Sequence, residues 1–442
     1  MAHKQTKIAL LHHTGCGNLG DDAIIDVVVG NILQRWGNAE IAVFSMNPDD
    51  TAKRHGIPTY PIRRYRWDIG HESAAVDLSP SGNRRLKDWF RKTKNSAIHL
   101  PKALFAELAF LVASYRTLKT FDLLIVSGGG QLTERGGPWS FPYALFVWSR
   151  MAKRAGVKCI FLNVGAGPLN HPLSKFFVPR ALRGADYVSF RDEQSQKLLY
   201  GLGFTGPCHV FPDNVYSFET GPIDVSPRDG DRLIVGIAPM PYPFCDLLRC
   251  PSNPQAIQDD LIGKIATFAS LLAKQSYALK LFGSDIEADP EAIEDLRTVL
   301  QNRHHISTPE YVPIESVSEL LSRIAAMDYV VTCRFHGVVL AHLLNKPVLA
   351  IAHHPKVTDL MNALGLGKYC VDMRTFDPIR LIDTFEALVS ETEAVKKSMA
   401  ASVVNYRAKL AAQFDGLFPP DSTQRWPLQA EPEALLSAEI SG

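Results

Sequence analysis

The stretch Ile8-Ala-Leu-Leu11-His-His-Thr-Gly15-Cys16-Gly17-Asn18-Leu19-Gly20-Asp21-Asp22 decides how the rest of the chain is read. Four apolar residues make a short strand and the glycines a turn. The segment Asp21–Trp36 then places Ile24, Ile25, Val28, Val29, Ile32 and Leu33 at helical spacing. Strand, glycine-rich turn and helix begin a parallel βα unit. The alternation recurs, with further candidate strands at Ile41–Phe44, Leu123–Val126, Lys158–Asn163 and Tyr187–Phe190.

The turn-rich, polar segment Ser217–Asp231 interrupts this rhythm. Strands restart at Leu233–Ile237, Leu279–Phe282, Tyr329–Thr332 and Val348–Ala352, and helical patterns at Ala256–Lys274, Pro290–Asn302 and Glu315–Ala325. A last helical pattern runs from about Pro378 to Gln413. The expected architecture is α/β, with two Rossmann-like domains facing across a cleft. They occupy residues 1–218 and 232–418, joined by a linker at 219–231 and followed by a mobile tail at 419–442.

A chain of 442 residues, 46% hydrophobic and 21% charged, has the composition of a globular protein and not of a fibrous or disordered one. Its net charge, 47 basic minus 46 acidic residues, is +1, which argues against nucleic acid as a partner. The seven cysteines are scattered without a Cys-x-x-Cys, and no His pair has zinc spacing. Reduced thiols, no metal and a cytoplasmic setting follow as expectations. The apolar run after the N-terminus is too short for a signal peptide, and no apolar stretch approaches the roughly 20 residues of a membrane span. Residues 63–94, within an insertion at about 60–120, carry nine Lys/Arg against four acids, with Trp67, Trp89 and Phe90 interleaved and the apolar Ala103–Val112 behind. A solvated loop explains the charges. So does a peripheral dock for an anionic membrane face or a lipid-linked acceptor.

The motif Gly15-Cys-Gly17-Asn-Leu-Gly20 has the form of a dinucleotide fingerprint, but no acid stands at the tip of the second strand, Val43-Phe-Ser-Met46, to hold a ribose. Asp21 and Asp22 at the helix start would repel a pyrophosphate. They suit helix capping, and equally sugar hydroxyls. Gly128-Gly129-Gly130 and Gly165-Ala-Gly167 follow strands and admit close backbone approach. Arg191, after Tyr187–Phe190, has either an anion or Asp192 or Asp213 as partner. The strongest set is Arg334-Phe335-His336-Gly337 at a strand-to-helix junction, joined by Lys356 at the next one. Cations beside a helix N-terminus hold carboxylate or phosphate, and a histidine there moves protons near neutral pH.

Together these blocks resemble the polysaccharide pyruvyl transferase family. Gly17-Asn18-Leu-Gly20-Asp21 is similar to the family's Asn-x-Gly-Asp opening, and Asp122-Leu-Leu-Ile-Val-Ser-Gly128-Gly-Gly130 to its Gly-rich strand end. Arg191-Asp192-Glu-Gln-Ser195 with Pro212-Asp213 is similar to its mid-chain signature, and Arg334-Phe335-His336-Gly337 through Lys356 to its most diagnostic block, where Leu is usual at the position of Phe335. The resemblance implies a GT-B-like fold and transfer of a pyruvyl group from phosphoenolpyruvate to two sugar hydroxyls of a surface polysaccharide or its precursor. A cyclic ketal forms, phosphate leaves, and no further cofactor is needed. In that reading His336 is the general acid/base; Arg334, Phe335, Gly337, Lys356 and Arg191 hold the donor. Asn18, Gly20, Asp21, Gly128, Gly129 and Gly130 hold the acceptor. The alternatives are a GT-B-type glycosyltransferase using a nucleotide-sugar, and a non-catalytic binding subunit of a polysaccharide assembly complex.

Overall fold

A computed structural model describes residues 5–64, 104–221, 231–242, 253–307 and 311–419. Most of the basic segment, most of the linker and the tail after residue 419 lie outside the described residues.

Seven parallel strands form the first sheet: β1 (Lys7–Leu11), β2 (Glu40–Ser45), β3 (Thr59–Pro61), β4 (Leu123–Ser127), β5 (Lys158–Val164), β6 (Tyr187–Phe190) and β7 (His209–Val210). Their order is β3-β2-β1-β4-β5-β6-β7, so the chain reverses direction across the sheet between β1 and β4. β1 sends Ile8 and Leu10 to one face and Ala9 and Leu11 to the other, and all four are buried. A central strand covered on both faces must be apolar throughout, which is why Ile-Ala-Leu-Leu shows no alternation. Helices α1 (Leu19–Arg35) and α2 (Pro48–His55) follow β1 and β2. Then come α3 (104–118), α4 (Phe141–Ala155), α5 (Pro172–Leu182) and α6 (Glu193–Gly201). Asn18, Asn47 and Asp192 accept backbone N–H groups at the starts of α1, α2 and α6.

The second sheet, ordered β12-β11-β10-β8-β9, is built from β8 (Ile234–Ala238), β9 (Ala278–Leu281), β10 (Tyr329–Thr332), β11 (Val348–Ala352) and β12 (Cys370–Asp372), again all parallel. Its helices are α7 (Pro254–Lys274), α8 (Asp289–His304), α9 (Val317–Ala325), α10 (Phe335–Leu343) and α11 (Pro355–Ala363). The helical pattern expected as one run from Pro378 to Gln413 is two helices, α12 (Pro378–Ser390) and α13 (Thr392–Leu417), broken at Glu391. The break lets α13 return to the first sheet. There Gln413 Nε2 donates to Asn163 Oδ1 at 2.9 Å and Tyr187 OH at 3.0 Å, and Arg35 pairs with Asp415 at 2.7 Å.

The two halves also join at the loops that matter for function. Leu19 N donates to Ser284 O at 2.9 Å and Ile286 N to Gly17 O at 2.8 Å, so the loop after β1 and the loop after β9 pair as a short antiparallel bridge. The carboxyl ends of both sheets thus meet at one crevice, where open α/β sheets place their ligands.

Candidate active site

The loop after β10 and the loop after β1 touch. Gly20 packs so tightly on His336 that a Cβ there would overlap the imidazole. His336 opens α10 and is buried. Burial pushes its pKa below the ordinary histidine value, and nearby Arg191 and Lys356 act the same way, outweighing the opposing charges of Asp213 and Asp21. The ring is therefore neutral at pH 7, and its buried Nε2 has no hydrogen-bond partner among the described residues.

Facing it stands a pair with no motif of its own in the sequence. His13 Nε2 lies 3.1 Å from Asp21 Oδ2, and both are held at the tip of β1 and the first turn of α1. Burial alone would lower His13, but the charge and hydrogen bond of Asp21 raise it above the usual value. Asp21 is buried too, which by itself would raise its pKa. His13 outweighs that effect and holds it well below the usual carboxylate range. His12 stacks on His13 at 4.7 Å, and burial together with His13 keeps it neutral. Phe141 meets His13 edge-on at 5.4 Å. Neither nitrogen of His12 has a partner among the described residues, and the fully buried Gln131 lies beside His13, helping to raise it. Orphaned buried polar atoms are costly, and a hydroxyl-rich ligand would satisfy them.

The cationic side of the cleft is shared between the halves. Arg191, from the loop after β6, lies with its guanidinium 4.2 Å from the centre of the Phe335 ring, close over Gly165. Its ion pairs to Asp192 and Asp213 are long, 3.4 Å each. Lys356 Nζ is 5.9 Å from the same ring. Burial first, then Arg191, lowers Lys356 to about 8.

Arg334 is differently placed. Its Nε donates to Asp289 Oδ1 at 3.0 Å, its terminal nitrogen bonds the same carboxylate and sits 3.4 Å from Asp285 Oδ2. Those acids overcome burial and keep the guanidinium charged. Arg334 therefore braces the two loops that close the cleft, and Lys356 and Arg191 are the cations nearer His336. Gly337 fits against Thr332, where a Cβ would clash with the hydroxyl. Asn18 spends its side-chain oxygen on Gly20 N at 3.0 Å. Gly128, at φ +49°, packs on Asn214 and Ile24; Gly129, at φ +65°, has His12 and Asp21 as neighbours; Gly130 has open space beside it. The structure thus gathers Gly20, Asp21, Gly129, His336, Phe335, Arg191 and Lys356 round one crevice. To these it adds His12, His13 and Gln131, while Arg334, Gly337, Asn18 and Gly128 make their contacts with the loops and helices that frame the crevice.

Two parallel sheets meeting at their carboxyl ends, closed by a returning C-terminal helix, define a GT-B-type fold. Solved structures agree. A Listeria monocytogenes protein assigned as a UDP-N-acetylglucosamine 2-epimerase superimposes with TM-score 0.56 at 12% identity, covering 93% of this chain and 96% of its own. Anabaena HepE, in complex with UDP and glucose, gives 0.54 at 14% identity, covering 93% and 100%. The UDP-GlcNAc 2-epimerase of Neisseria meningitidis gives 0.51 at 11%, covering 93% and 99%. A search of curated proteins returns no match. The polysaccharide pyruvyl transferase family model matches residues 18–355, and the chain belongs to that family of transferases.

Proposed function

We propose that the protein transfers the pyruvyl group of phosphoenolpyruvate to two hydroxyls of a saccharide, forming a cyclic ketal and releasing phosphate, in the synthesis of a surface polysaccharide. The observation that carries this reading is Lys356, a partly buried ammonium drawn down to about 8 beside Arg191, with no ion-pair partner among the described residues. Cations held together without full neutralisation favour an anion. Phosphoenolpyruvate presents a carboxylate and a phosphate close together, matching Lys356 and Arg191. The half spanning residues 232–418 is the donor side in this reading, and the half spanning 1–218 the acceptor side.

The proton inventory fits the chemistry. His13, whose charged form Asp21 favours, delivers a proton to the methylene carbon, and C2 becomes electrophilic. Neutral His336 takes the proton of the attacking sugar hydroxyl. Phosphate departs with the C2–O bond electrons, and the second hydroxyl closes the ring as it gives its proton to His13, left as a base by the first step. His12, Gln131 and the backbone of Gly129 and Gly130 line the space for the sugar. In a thermal-shift experiment phosphoenolpyruvate raises the melting temperature and a UDP-sugar does not. The opposite pattern would make the protein a nucleotide-sugar glycosyltransferase.

A further inference from the structure

Helices α3, α4 and α5 cover one face of the seven-stranded sheet, where Leu118, Leu145 and Val178 join the core. Their outer surface is unusual in charge. Arg116, Arg150, Lys153, Arg154, Lys175 and Arg180 stand against a single acid, Glu107, in a chain whose net charge is only +1. That acid is itself paired with Arg64 at 3.5 Å.

The same layer leaves large apolar groups in water. On α3, Leu104 is 70% exposed, Phe105 75% and Leu108 58%, and Val112 continues the face one turn on. An amphipathic helix packed only on its own sheet would present polar residues there. Trp139, just before α4, is 57% exposed, and Phe176 of α5 is also exposed. The two sets are continuous. The charge of Glu107 acts on the Tyr143 hydroxyl, and Tyr143 packs against Trp139 at 5.5 Å and Phe177 at 5.7 Å. Arg180 lies 3.6 Å over Phe176 and Arg150 5.4 Å over Phe146, so cations rim the aromatic groups.

We propose that this face docks the protein on an anionic lipid bilayer, with Phe105, Leu108 and Trp139 entering the interface and the arginines and lysines meeting the headgroups. A second copy is a poor occupant, because two such faces would set cation against cation. The patch also adjoins the cleft: Phe141, two residues beyond Trp139, is the ring that packs on His13. Resting on the function proposed above, this orientation brings the crevice to a saccharide carried on a lipid.

The test is flotation of the full chain with phosphatidylcholine vesicles, with and without phosphatidylglycerol, at low and high salt. No donor or acceptor is present, so its outcome stands apart from the pyruvyl-transfer reading. The wild-type chain floats with the anionic vesicles at low salt and is released by high salt. Phe105→Ser with Leu108→Ser, and separately Arg150→Glu with Arg180→Glu, each weaken binding by roughly tenfold or more, with melting temperature unchanged for the second pair. Failure of the wild type to bind anionic vesicles overturns the proposal, as do variants that bind like wild type. So does a dimer in sedimentation that the Phe105→Ser, Leu108→Ser pair dissolves.

Discussion

The ring of His336, at the start of α10, rests directly on the backbone of Gly20, in the first turn of α1. A Gly20→Ala chain must displace that ring or part the two loops. We expect kcat/KM to fall by about 10²-fold or more, the lower end of what a displaced acid/base group costs. Steady-state kinetics of phosphate release check it, with far-ultraviolet circular dichroism unchanged.

The two histidines predict a bell-shaped rate profile. On the acid side kcat falls as His336 gains a proton, below the ordinary value of 6.5, since burial lowers it. On the alkaline side it falls as His13 loses one, above 6.5, since Asp21 raises it. His336→Gln lowers kcat by about 10²–10⁴-fold and removes the acid limb; His13→Gln removes the alkaline limb. Stopped or continuous phosphate assays across pH separate the two.

Lys356 sets a different limb, in donor binding. Its ammonium is charged below about 8 and lost above. Apparent KM for phosphoenolpyruvate therefore rises as pH passes about 8. Lys356→Arg, whose guanidinium stays charged, keeps KM flat through that range.

Arg334, mostly buried, pairs with Asp289, which is fully enclosed. Asp289→Ala leaves the guanidinium without its main partner and should destabilise the fold by about 3–5 kcal/mol. Urea unfolding gives the number. Loss of activity without loss of stability would instead make Arg334 a donor ligand.

Away from the cleft, His55 Nδ1 meets Asp26 at 2.7 Å and Nε2 lies 3.5 Å from Asp22. Burial opposes protonation, but the two carboxylates raise His55 to about 9. A raised folded pKa gives stability that is full below about 6.5 and is lost as pH climbs through 9. His55→Gln should flatten the stability-versus-pH curve in that window, by on the order of 3 kcal/mol at most, measured by urea midpoints at several pH values.

Most of the fold is legible in the chain because parallel strands buried on both faces must be continuous apolar runs; Tyr187–Phe190, Tyr329–Thr332 and Val348–Ala352 are found to the residue. The edge strands β3, β7 and β12, two or three residues long, carry too little pattern to be seen. In the site, Arg334 and His336 stand out by motif. The acidic partners of Arg334 do not, because Asp285 and Asp289 come from the loop after another strand and the helix that follows it. His13 lacks a motif as well. Its one signal is its place at the carboxyl tip of the first strand, where the fold exposes side chains to the crevice.

In the proposed function, phosphoenolpyruvate is held in the cleft by Lys356. Calorimetric titration of phosphoenolpyruvate into the wild-type chain and a Lys356→Ala variant, with a UDP-sugar as control, tests it most directly. Binding of phosphoenolpyruvate alone, lost in the variant, is the predicted result. Binding of the UDP-sugar in its place, or phosphoenolpyruvate affinity indifferent to Lys356, would contradict it.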